Sequence, residues 1–374
     1  MSTGISAIVL KVAALCNLDC SYCYVYHHED KGYLRRPKLI ADPVFDRTLA
    51  AIRRYCERRS PHSMAICFHG GEPTLIGAER FDELAGRARE VLGDCLAALA
   101  IQTNATLIDE AWVETLRRHQ VHVSVSLDGP AAVHDVARVD HAGRGTHART
   151  LAGIARLRAG GVEPQVLCVI NPGQSGSEVY RHFRSLGLTR MDFLLPDVSH
   201  DSRERFYPGR GPTPVADYLV PIFDAWFDED DPGVQVRIFH ELLLKLFGGM
   251  NRTDSFGNAP MGYLIVETDG AIEALDALRV CGEGIAGSGL NVLEHGFDDL
   301  ALGLPLVHQA VAEGFPLAPS CRACPEREIC GGGYLPHRYS RTRGFDNPSV
   351  WCADILALLG HMRARLAPYL PAAG

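Results

Sequence analysis

The sequence has no apolar run that approaches the length of about eighteen residues needed to cross a membrane. Its first residues, Met1 to Gly4, lack the basic and apolar regions of a secretion signal. The formal net charge of −8 argues against a general affinity for nucleic acid. These absences lead us to expect a cytoplasmic protein with neither a membrane anchor nor a nucleic-acid partner.

Cysteine, by contrast, is plentiful, since the 374-residue chain has 12 of them. Without a secretion signal, so many thiols indicate a reducing compartment and metal ligands in preference to disulfides. Cys16, Cys20 and Cys23 lie within eight residues, directly after the apolar run Ile5 to Val12. An iron–sulfur cluster held by three thiolates keeps one iron open, as catalytic metal sites keep an open position. The alternative is a small structural metal knuckle, although zinc-finger spacing offers no uncrowded fourth ligand.

Apolar runs and segments of helical periodicity alternate through the first 200 residues and predict six β-α units with a parallel sheet. The second predicted strand, Met64 to Phe68, ends in the turn His69-Gly70-Gly71-Glu72-Pro73. The two glycines let this backbone approach a ligand closely, and the proline restricts the turn. A plain tight turn between a strand and a helix is the alternative interpretation.

The spacing C-x-x-x-C-x-aromatic-C, with Tyr22 as the aromatic residue, resembles the signature of the radical S-adenosylmethionine (radical SAM) superfamily. The glycine turn resembles the GGEP motif of that family and follows the cysteines by one β-α unit, as it does there. The resemblance implies an α/β fold, namely a partial (β/α)6 TIM-like barrel that is open at one side. It also implies an enzyme whose three-cysteine [4Fe-4S] cluster chelates SAM and cleaves it to a 5′-deoxyadenosyl radical.

The same resemblance implies a set of SAM contacts at the ends of the predicted strands. Glu72 would bind the amino group of SAM. Ser126 and Arg138 would bind its carboxylate, which suits a guanidinium because that group pairs with a carboxylate through two hydrogen bonds. Ordinary loop polarity or barrel packing is the alternative for each position. The other residues that would line the SAM pocket are His69, Gly70, Gly71, Asn171 and Leu195.

A second group of cysteines lies near the C-terminus: Cys321, Cys324, Cys330 and Cys352. Four thiolates complete a cubane cluster, and they are equally sufficient for structural zinc. Behind a radical SAM core the pattern resembles the SPASM domain, which implies an auxiliary [4Fe-4S] cluster on these four residues. Full SPASM domains have further cysteines where Tyr334 and Leu275 stand here, so we expect a single auxiliary cluster.

These assignments divide the chain into a radical SAM core (residues 1–200), a helical linker or substrate-facing region (201–260) and a SPASM-like domain (261–374). Asp276 lies next to the position at which the related anaerobic sulfatase-maturing enzymes have a proton-accepting aspartate, which makes it the candidate catalytic residue. A plain turn aspartate is the alternative. The sequence leaves three roles open for Cys281: a lone metal ligand, a catalytic or substrate-contacting thiol, or a small buried apolar residue. The cysteines expected in the core are Cys56, Cys67, Cys95 and Cys168.

Features along nearly the whole chain resemble the FxsB-type peptide maturases, among them Leu10 to Ala13, Tyr24 to Tyr26 and Phe345 to Cys352. This resemblance implies a ribosomally made precursor peptide as the substrate and an electron donor such as flavodoxin or ferredoxin. It predicts a cyclophane, a carbon–carbon bond between an aromatic ring and the β-carbon of a nearby residue. The alternatives are a thioether, another crosslink, epimerisation, formylglycine formation or a non-catalytic iron–sulfur or zinc-binding adaptor.

Overall fold

A computed structural model describes residues 4–60, 62–250 and 253–369 of the chain. Its backbone contacts define two compact units. The first comprises Met1–Leu127, His134–Val166 and Ala259–Phe315, and the second Asp128–Val133, Leu167–Asn258 and Pro316–Gly374. The domain boundaries at residues 200 and 260 stay a prediction, since compact units need not coincide with family domains. Among the described residues, no helix is long and apolar enough to span a membrane.

Parallel strands form the centre of the first unit, where the order is β10-β9-β8-β1-β2-β3-β4. The pairs from β8 through β1, β2 and β3 to β4 are parallel, whereas β9 pairs antiparallel with both β8 and β10. In the second unit β5, β6 and β7 follow one another. The strands are β1 (Ala7–Ala13), β2 (Met64–Gly70), β3 (Leu96–Thr103), β4 (His122–Ser126), β5 (Gln165–Val169), β6 (Arg190–Leu194), β7 (Gln235–Val236), β8 (Tyr263–Val266), β9 (Ala271–Glu273) and β10 (Gly287–Asn291).

Helices alternate with the strands from β1 to β6, which confirms the predicted β-α alternation. The side chain of Asp109 caps one of them by accepting a hydrogen bond from the backbone N–H of Trp112, and Ser175 caps another through Glu178. The α-helices are α1 (Asp42–Arg58), α2 (Ala78–Leu92), α3 (Glu110–Arg118), α4 (Ala131–Ala137), α5 (His147–Ala159), α6 (Gly176–Ser185), α7 (Arg203–Phe206), α8 (Pro214–Glu229), α9 (Arg237–Leu246), α10 (Pro305–His308), α11 (Pro319–Arg322), α12 (Arg327–Cys330) and α13 (Cys352–Leu366).

Several elements have no counterpart in the sequence-based prediction, among them β7, β10 and α13. Strand β7 has only two residues, and the glycines of β10 give it little strand propensity. Helix α13 is different, because its buried residues Ile355, Leu358, Leu359 and Met362 recur at helical spacing. The sequence therefore contains a local signal for α13.

Strand β2 shows how the sheet separates the core from the site. Met64, Ile66 and Phe68 are buried, while the alternate residues, Cys67 and His69 among them, are partly exposed. The Phe68 ring lies 4.7 Å from that of Phe81 on α2, which itself lies 5.1 Å from Trp112 on α3. One face of β2 thus packs on helices, and the opposite face carries Cys67 and His69.

Replacing Phe81 with alanine is expected to lower the free energy of unfolding by about 3–5 kcal/mol, because the change leaves a cavity between two aromatic rings. Urea unfolding followed by far-UV circular dichroism measures this, on preparations matched for iron content. Phe247→Ala is the control, since that side chain is 62% exposed and its loss should change stability by no more than about 0.5 kcal/mol. Equal effects of the two substitutions would contradict the assigned core.

Candidate active site

The loop that follows β1 carries the first three cysteines and is held by its own backbone. Asp19 N–H donates to the carbonyl of Val139 (2.8 Å), and Ser21 N–H donates to that of Ala137 (3.1 Å). Cys23 N–H donates to the carbonyl of Cys20 (2.9 Å), which closes a turn between two of the thiols. The loop therefore has a defined conformation before any ligand is considered.

The three thiols lie close enough to one another to interact electrostatically, as the ligands of one centre should. Burial raises the pKa of Cys16, and the charges of Glu72, Cys20 and Cys23 raise it further. Burial also raises the pKa of Cys23. Thiols of this kind ionise when a metal binds, because the cation offsets both the burial and the mutual repulsion. The donor set thus fits an iron–sulfur cluster.

A cluster spreads its ligands more widely than a single ion does, because each thiolate of a cubane binds a separate iron. In the part of the chain that the structure describes, no three His, Cys, Asp or Glu side chains are grouped to hold one metal ion.

The glycine turn at the end of β2 packs directly on the start of the cysteine loop. Gly71 N–H donates to the carbonyl of Ala13 (2.8 Å), and Glu72 N–H donates to that of Leu15 (3.0 Å). A Cβ atom on Gly71 would lie 2.3 Å from the Leu15 carbonyl oxygen and 2.0 Å from the Tyr26 hydroxyl. The absence of a side chain at Gly71 therefore allows the backbone at Ala13 and Leu15 to approach closely, and the predicted contacts of the glycines with SAM stay predictions.

Glu72 is almost fully buried and ties the glycine turn to the end of β3. Its carboxylate accepts hydrogen bonds from the backbone N–H of Thr74 (3.0 Å) and of Asn104 (2.8 Å) and from the hydroxyl of Thr103 (2.6 Å). Burial raises the pKa of Glu72, and these hydrogen bonds offset part of the increase. A structural role is thus evident, while the predicted contact with the SAM amino group stays a prediction.

Arg138 lies beside the cysteine loop, as the prediction for it requires. Its Nη1 is 4.0 Å from the sulfur of Cys20, and its guanidinium is 5.4 Å from the centre of the Tyr22 ring. Ser126, at the end of β4, accepts a hydrogen bond from Gln102 (2.9 Å). The contacts of Ser126 and Arg138 with the SAM carboxylate stay predictions.

Asn171 and Leu195 belong to the second unit and follow two of its strands. The Asn171 side chain accepts a hydrogen bond from Gly173 N–H (3.1 Å) and so closes the turn after β5. Leu195 is partly exposed and directly follows β6. Both lie at strand ends, where SAM-lining residues were expected, and their contact with SAM stays a prediction.

Asp276 stands at the start of a 3₁₀ helix, Asp276–Val280, that follows β9. Its Oδ2 accepts hydrogen bonds from the ammonium of Lys11 and from the hydroxyl of Tyr24 (2.7 Å). Burial would raise the pKa of Asp276, but Lys11, His69 and Tyr24 together bring it well below its usual value. Asp276 is therefore a carboxylate with two defined hydrogen-bond partners, and its catalytic role stays a prediction.

A buried ion-pair network anchors the helix that carries Asp276. The guanidinium of Arg279 lies 2.8 Å from the carboxylate of Glu267, 2.5 Å from that of Glu273 and 3.5 Å from that of Asp30. Removal of one partner from such a network leaves a buried charge uncompensated, which typically costs about 3–5 kcal/mol. The ion pairs of Arg279 thus help to fix the helix on which Asp276 lies.

The second cysteine group lines one cavity of about 110 Å³ in the second unit, with Cys321, Cys324, Cys330 and Cys352 all at its wall. Burial raises the pKa of Cys330 to about 12, and the other three thiols contribute to the increase. Gly331 follows with a positive φ of 61°, and a Cβ there would lie 2.1 Å from the carbonyl carbon of Gly257. Four convergent thiols around a cavity fit the predicted auxiliary cluster.

The other cysteines differ in their surroundings. Cys281 is buried, which fits the apolar alternative, and Cys56 and Cys168 are buried as predicted. The prediction is wrong for Cys67 and Cys95, which are only partly buried. Cys95 ends a short 3₁₀ turn, and Cys67 lies on the face of β2 that also carries His69.

No role was predicted for Lys11 or for the side chain of Tyr24, and both donate hydrogen bonds to Asp276 in the structure. Lys11 did carry a signal, because it is a lone charged residue within an otherwise apolar strand. A buried lysine in such a position is rare unless it is paired. The partner could not be identified from the sequence, since it lies 265 residues away.

Comparisons with known proteins agree with this architecture. Residues 10–186 match the family model of the Radical SAM superfamily. The chain is 25% identical over 335 residues to the cysteine-type anaerobic sulfatase-maturating enzyme of Clostridium perfringens, covering 88% of each chain. It is 27% identical over 333 residues to the serine-type anaerobic sulfatase-maturating enzyme of Klebsiella aerogenes, covering 87% of this chain and 78% of that protein. The solved structure of native anSMEcpe with bound AdoMet superposes with a TM-score of 0.84 at 23% identity, covering 97% of this chain and 98% of that one.

The comparisons confirm the mixed α/β fold with a partial, open barrel of the radical SAM type. They also confirm the predictions of an enzyme and of SAM with [4Fe-4S] clusters as its cofactors. They do not confirm the FxsB-type cyclophane branch, because the two relatives described above are named as sulfatase-maturating enzymes.

Replacing Gly71 with alanine is expected to prevent assembly of the first cluster, because the added methyl group would displace Leu15 at the start of the cysteine loop. Iron and sulfide analysis after anaerobic reconstitution should show about four irons fewer per chain. Gly86→Ala is the matched control, since its Cβ would meet only the ring of His119 at 3.9 Å. Full iron content in the Gly71 variant would show that the close approach is not required.

The second cysteine group gives a parallel test with a cysteine control. Cys330→Ala is expected to remove about four irons per chain, because the cavity loses one of its four thiolates. Cys281→Ala should leave the iron content unchanged, since Cys281 is not among the cysteines that line the cavity. Zinc in place of iron in the wild-type protein, by elemental analysis, would instead identify a structural zinc site.

Proposed function

We propose that this chain, a radical SAM enzyme by its match over residues 10–186, oxidises a cysteine or serine side chain of a peptide or protein substrate to formylglycine. The observation that carries the proposal is the Asp276 carboxylate, held by Lys11 and Tyr24, in a chain related over most of its length to sulfatase-maturating enzymes. In this reaction the β-carbon, which carries a thiol or a hydroxyl group in the substrate, becomes the carbon of an aldehyde.

The relatives support this reaction in two ways. The cysteine-type enzyme and the serine-type enzyme both align with at least 87% of this chain, so neither similarity is confined to the common SAM-binding part. Their two substrate types share one product, since oxidation at the β-carbon followed by loss of a proton leads to an aldehyde from either residue. The identities are nearly equal, so the choice between cysteine and serine is left to experiment.

The chain has residues to hold each cofactor that the reaction needs. Cys16, Cys20 and Cys23 would hold the SAM-binding cluster, and the four cysteines of the second unit would hold the auxiliary one. When bound, SAM and its cluster supply a radical that removes one hydrogen atom, and the auxiliary cluster supplies a one-electron acceptor. An external donor such as flavodoxin or ferredoxin, as the sequence predicts, would deliver the initiating electron.

Asp276 then performs the proton transfer. After its β-carbon has lost a hydrogen atom, the substrate must lose one proton from the thiol or hydroxyl group and one electron. Lys11 and Tyr24 both donate to Oδ2, and no described residue donates to Oδ1, which is therefore the oxygen left to accept the proton. Serine gives the aldehyde directly, whereas cysteine gives a thioaldehyde that water converts to the aldehyde and hydrogen sulfide.

A cyclophane stays the second candidate, on the motif resemblance alone. It needs the same hydrogen abstraction and the same loss of a proton and an electron, so the arrangement around Asp276 would serve it equally. The relatives favour formylglycine, because they span the chain and are named for sulfatase maturation. The two products differ in one testable respect, since only formylglycine carries an aldehyde.

The test is an anaerobic assay of the reconstituted enzyme with SAM, a reductant and a sulfatase-derived peptide whose target residue is cysteine, serine or alanine. We expect 5′-deoxyadenosine and an aldehyde that reacts with a hydrazine, from the cysteine or serine peptide and not from the alanine peptide. A peptide that loses two hydrogens without a hydrazine-reactive group would indicate a crosslink instead. Verified clusters that yield no deoxyadenosine would overturn the enzyme assignment.

Asp276→Asn is expected to lower aldehyde formation by about 10²–10⁴-fold, because the amide cannot accept the substrate proton. Deoxyadenosine formation should persist, since the hydrogen abstraction precedes the proton transfer. Asp298→Asn is the matched control, because Asp298 pairs with Arg58 and Arg59 at the surface. Wild-type aldehyde yields from the Asp276 variant would exclude it as the base.

A further inference from the structure

Lys11 is a charged residue at a buried position, where a lysine is rare unless it is paired. It lies in β1 between the buried residues Leu10 and Val12, and its side chain is only 4% exposed. Its ammonium contacts the carboxylate of Asp276 and the Nδ1 atom of His69, the latter at 3.1 Å. Within the described residues, Asp276 is the one carboxylate with which Lys11 forms an ion pair. The charge of Lys11 is thus directed at a single acidic group.

His69, which also contacts Lys11, adds no second positive charge beside Asp276 at neutral pH. The backbone N–H of Gly70 donates to His69 Nδ1 at 2.8 Å, and the Gly70 carbonyl oxygen lies 3.2 Å from the same nitrogen. Burial and the neighbouring Lys11 lower the pKa of His69 to about 4, so the ring is neutral at pH 7. Lys11 is therefore the positive charge in hydrogen-bond contact with Asp276 at neutral pH.

Burial makes that charge decisive for the state of the carboxylate. The Asp276 side chain is 15% exposed, and a buried carboxyl group without a partner becomes protonated at a pH well above its ordinary range. A protonated Asp276 cannot accept a proton from a substrate. The titratable or charged groups that face Asp276 are Lys11 from β1, Cys67 and His69 from β2, Tyr24 from the cysteine loop and Arg279 from its own helix.

We infer that Lys11 is a positioning residue of the proposed reaction, which holds Asp276 ionised and turns its Oδ1 atom toward the substrate. The inference rests on the proposed function, because it assigns Lys11 a role in the proton transfer to Asp276. Lys11 touches neither substrate nor SAM in this role and acts through the carboxylate alone. Among the residues that the structure describes, its hydrogen bond and that of Tyr24 both go to Oδ2.

The experiment compares the wild-type enzyme with Lys11→Met and Lys11→Arg, reconstituted to equal iron content. Methionine keeps the volume and removes the charge, whereas arginine restores the charge. The readout is the amount of aldehyde per deoxyadenosine between about pH 6 and pH 8.5, with a peptide deuterated at the target β-carbon. Deuterium in deoxyadenosine reports hydrogen abstraction separately from proton transfer. Lys38→Met, at an exposed lysine, is the matched control.

The pKa of Asp276 is depressed in the wild-type enzyme, so the carboxylate stays charged across this range and the ratio should not change with pH. Without Lys11, burial raises that pKa, and the ratio should fall as the pH falls, by about tenfold per unit below the new pKa. Deuterium transfer should continue in the Lys11→Met enzyme, and Lys11→Arg should recover the flat profile.

Three results would overturn the role of Lys11. One is a wild-type ratio in the Lys11→Met enzyme at every pH, and another is a loss of coupling that Lys11→Arg does not restore. The third is the loss of both deuterium transfer and aldehyde formation in both variants, which would indicate a purely structural lysine. A wild-type enzyme that transfers deuterium and forms no aldehyde would overturn the proposed reaction itself, and the assignment of Lys11 with it.

Discussion

Strand β1 pairs with β2 in parallel, and the register sets Lys11 directly opposite His69. The same register brings Gly70 and Gly71 onto the backbone that leaves β1, at distances that no larger residue would allow. A slip of one residue would turn every side chain of β1 to the other face of the sheet. The direction of the cysteine loop and the position of Lys11 are thus consequences of one strand pairing.

The charge arrangement depends on a second pairing in the same unit. Strand β8 pairs in parallel with β1 on the side away from β2, and the hairpin of β8 and β9 leads directly to Asp276. A buried carboxylate is costly unless it is paired, and Lys11 and Tyr24 supply the compensation. The ion pairs of Arg279 hold the same short helix from its other end. Asp276 is ionised because two distant segments of chain meet there.

Local motifs were readable because their residues lie close together in the sequence. The three cysteines of the first loop and the turn from His69 to Pro73 each carry their chemistry within a few residues, so their spacing alone identified them. The structural role of Glu72 could not be predicted from the sequence, because its hydrogen-bond partners Thr103 and Asn104 lie about thirty residues further along the chain. The pairing of β8 with β1 was equally hidden, because its partners, such as Ala7 and Tyr263, lie more than 250 residues apart in the sequence.

By itself, the sequence determined the β-α alternation, the two cysteine groups and the glycine turn, because hydrophobic periodicity and ligand spacing are local properties. Only the tertiary structure decided which charges meet. Lys11 and Asp276 are 265 residues apart, and neither shows its partner through any pattern in the chain. Burial also decided how the ionisation of Asp276 is maintained. A carboxylate at an exposed turn is ionised at neutral pH without a partner, whereas the largely buried Asp276 depends on the charge of Lys11.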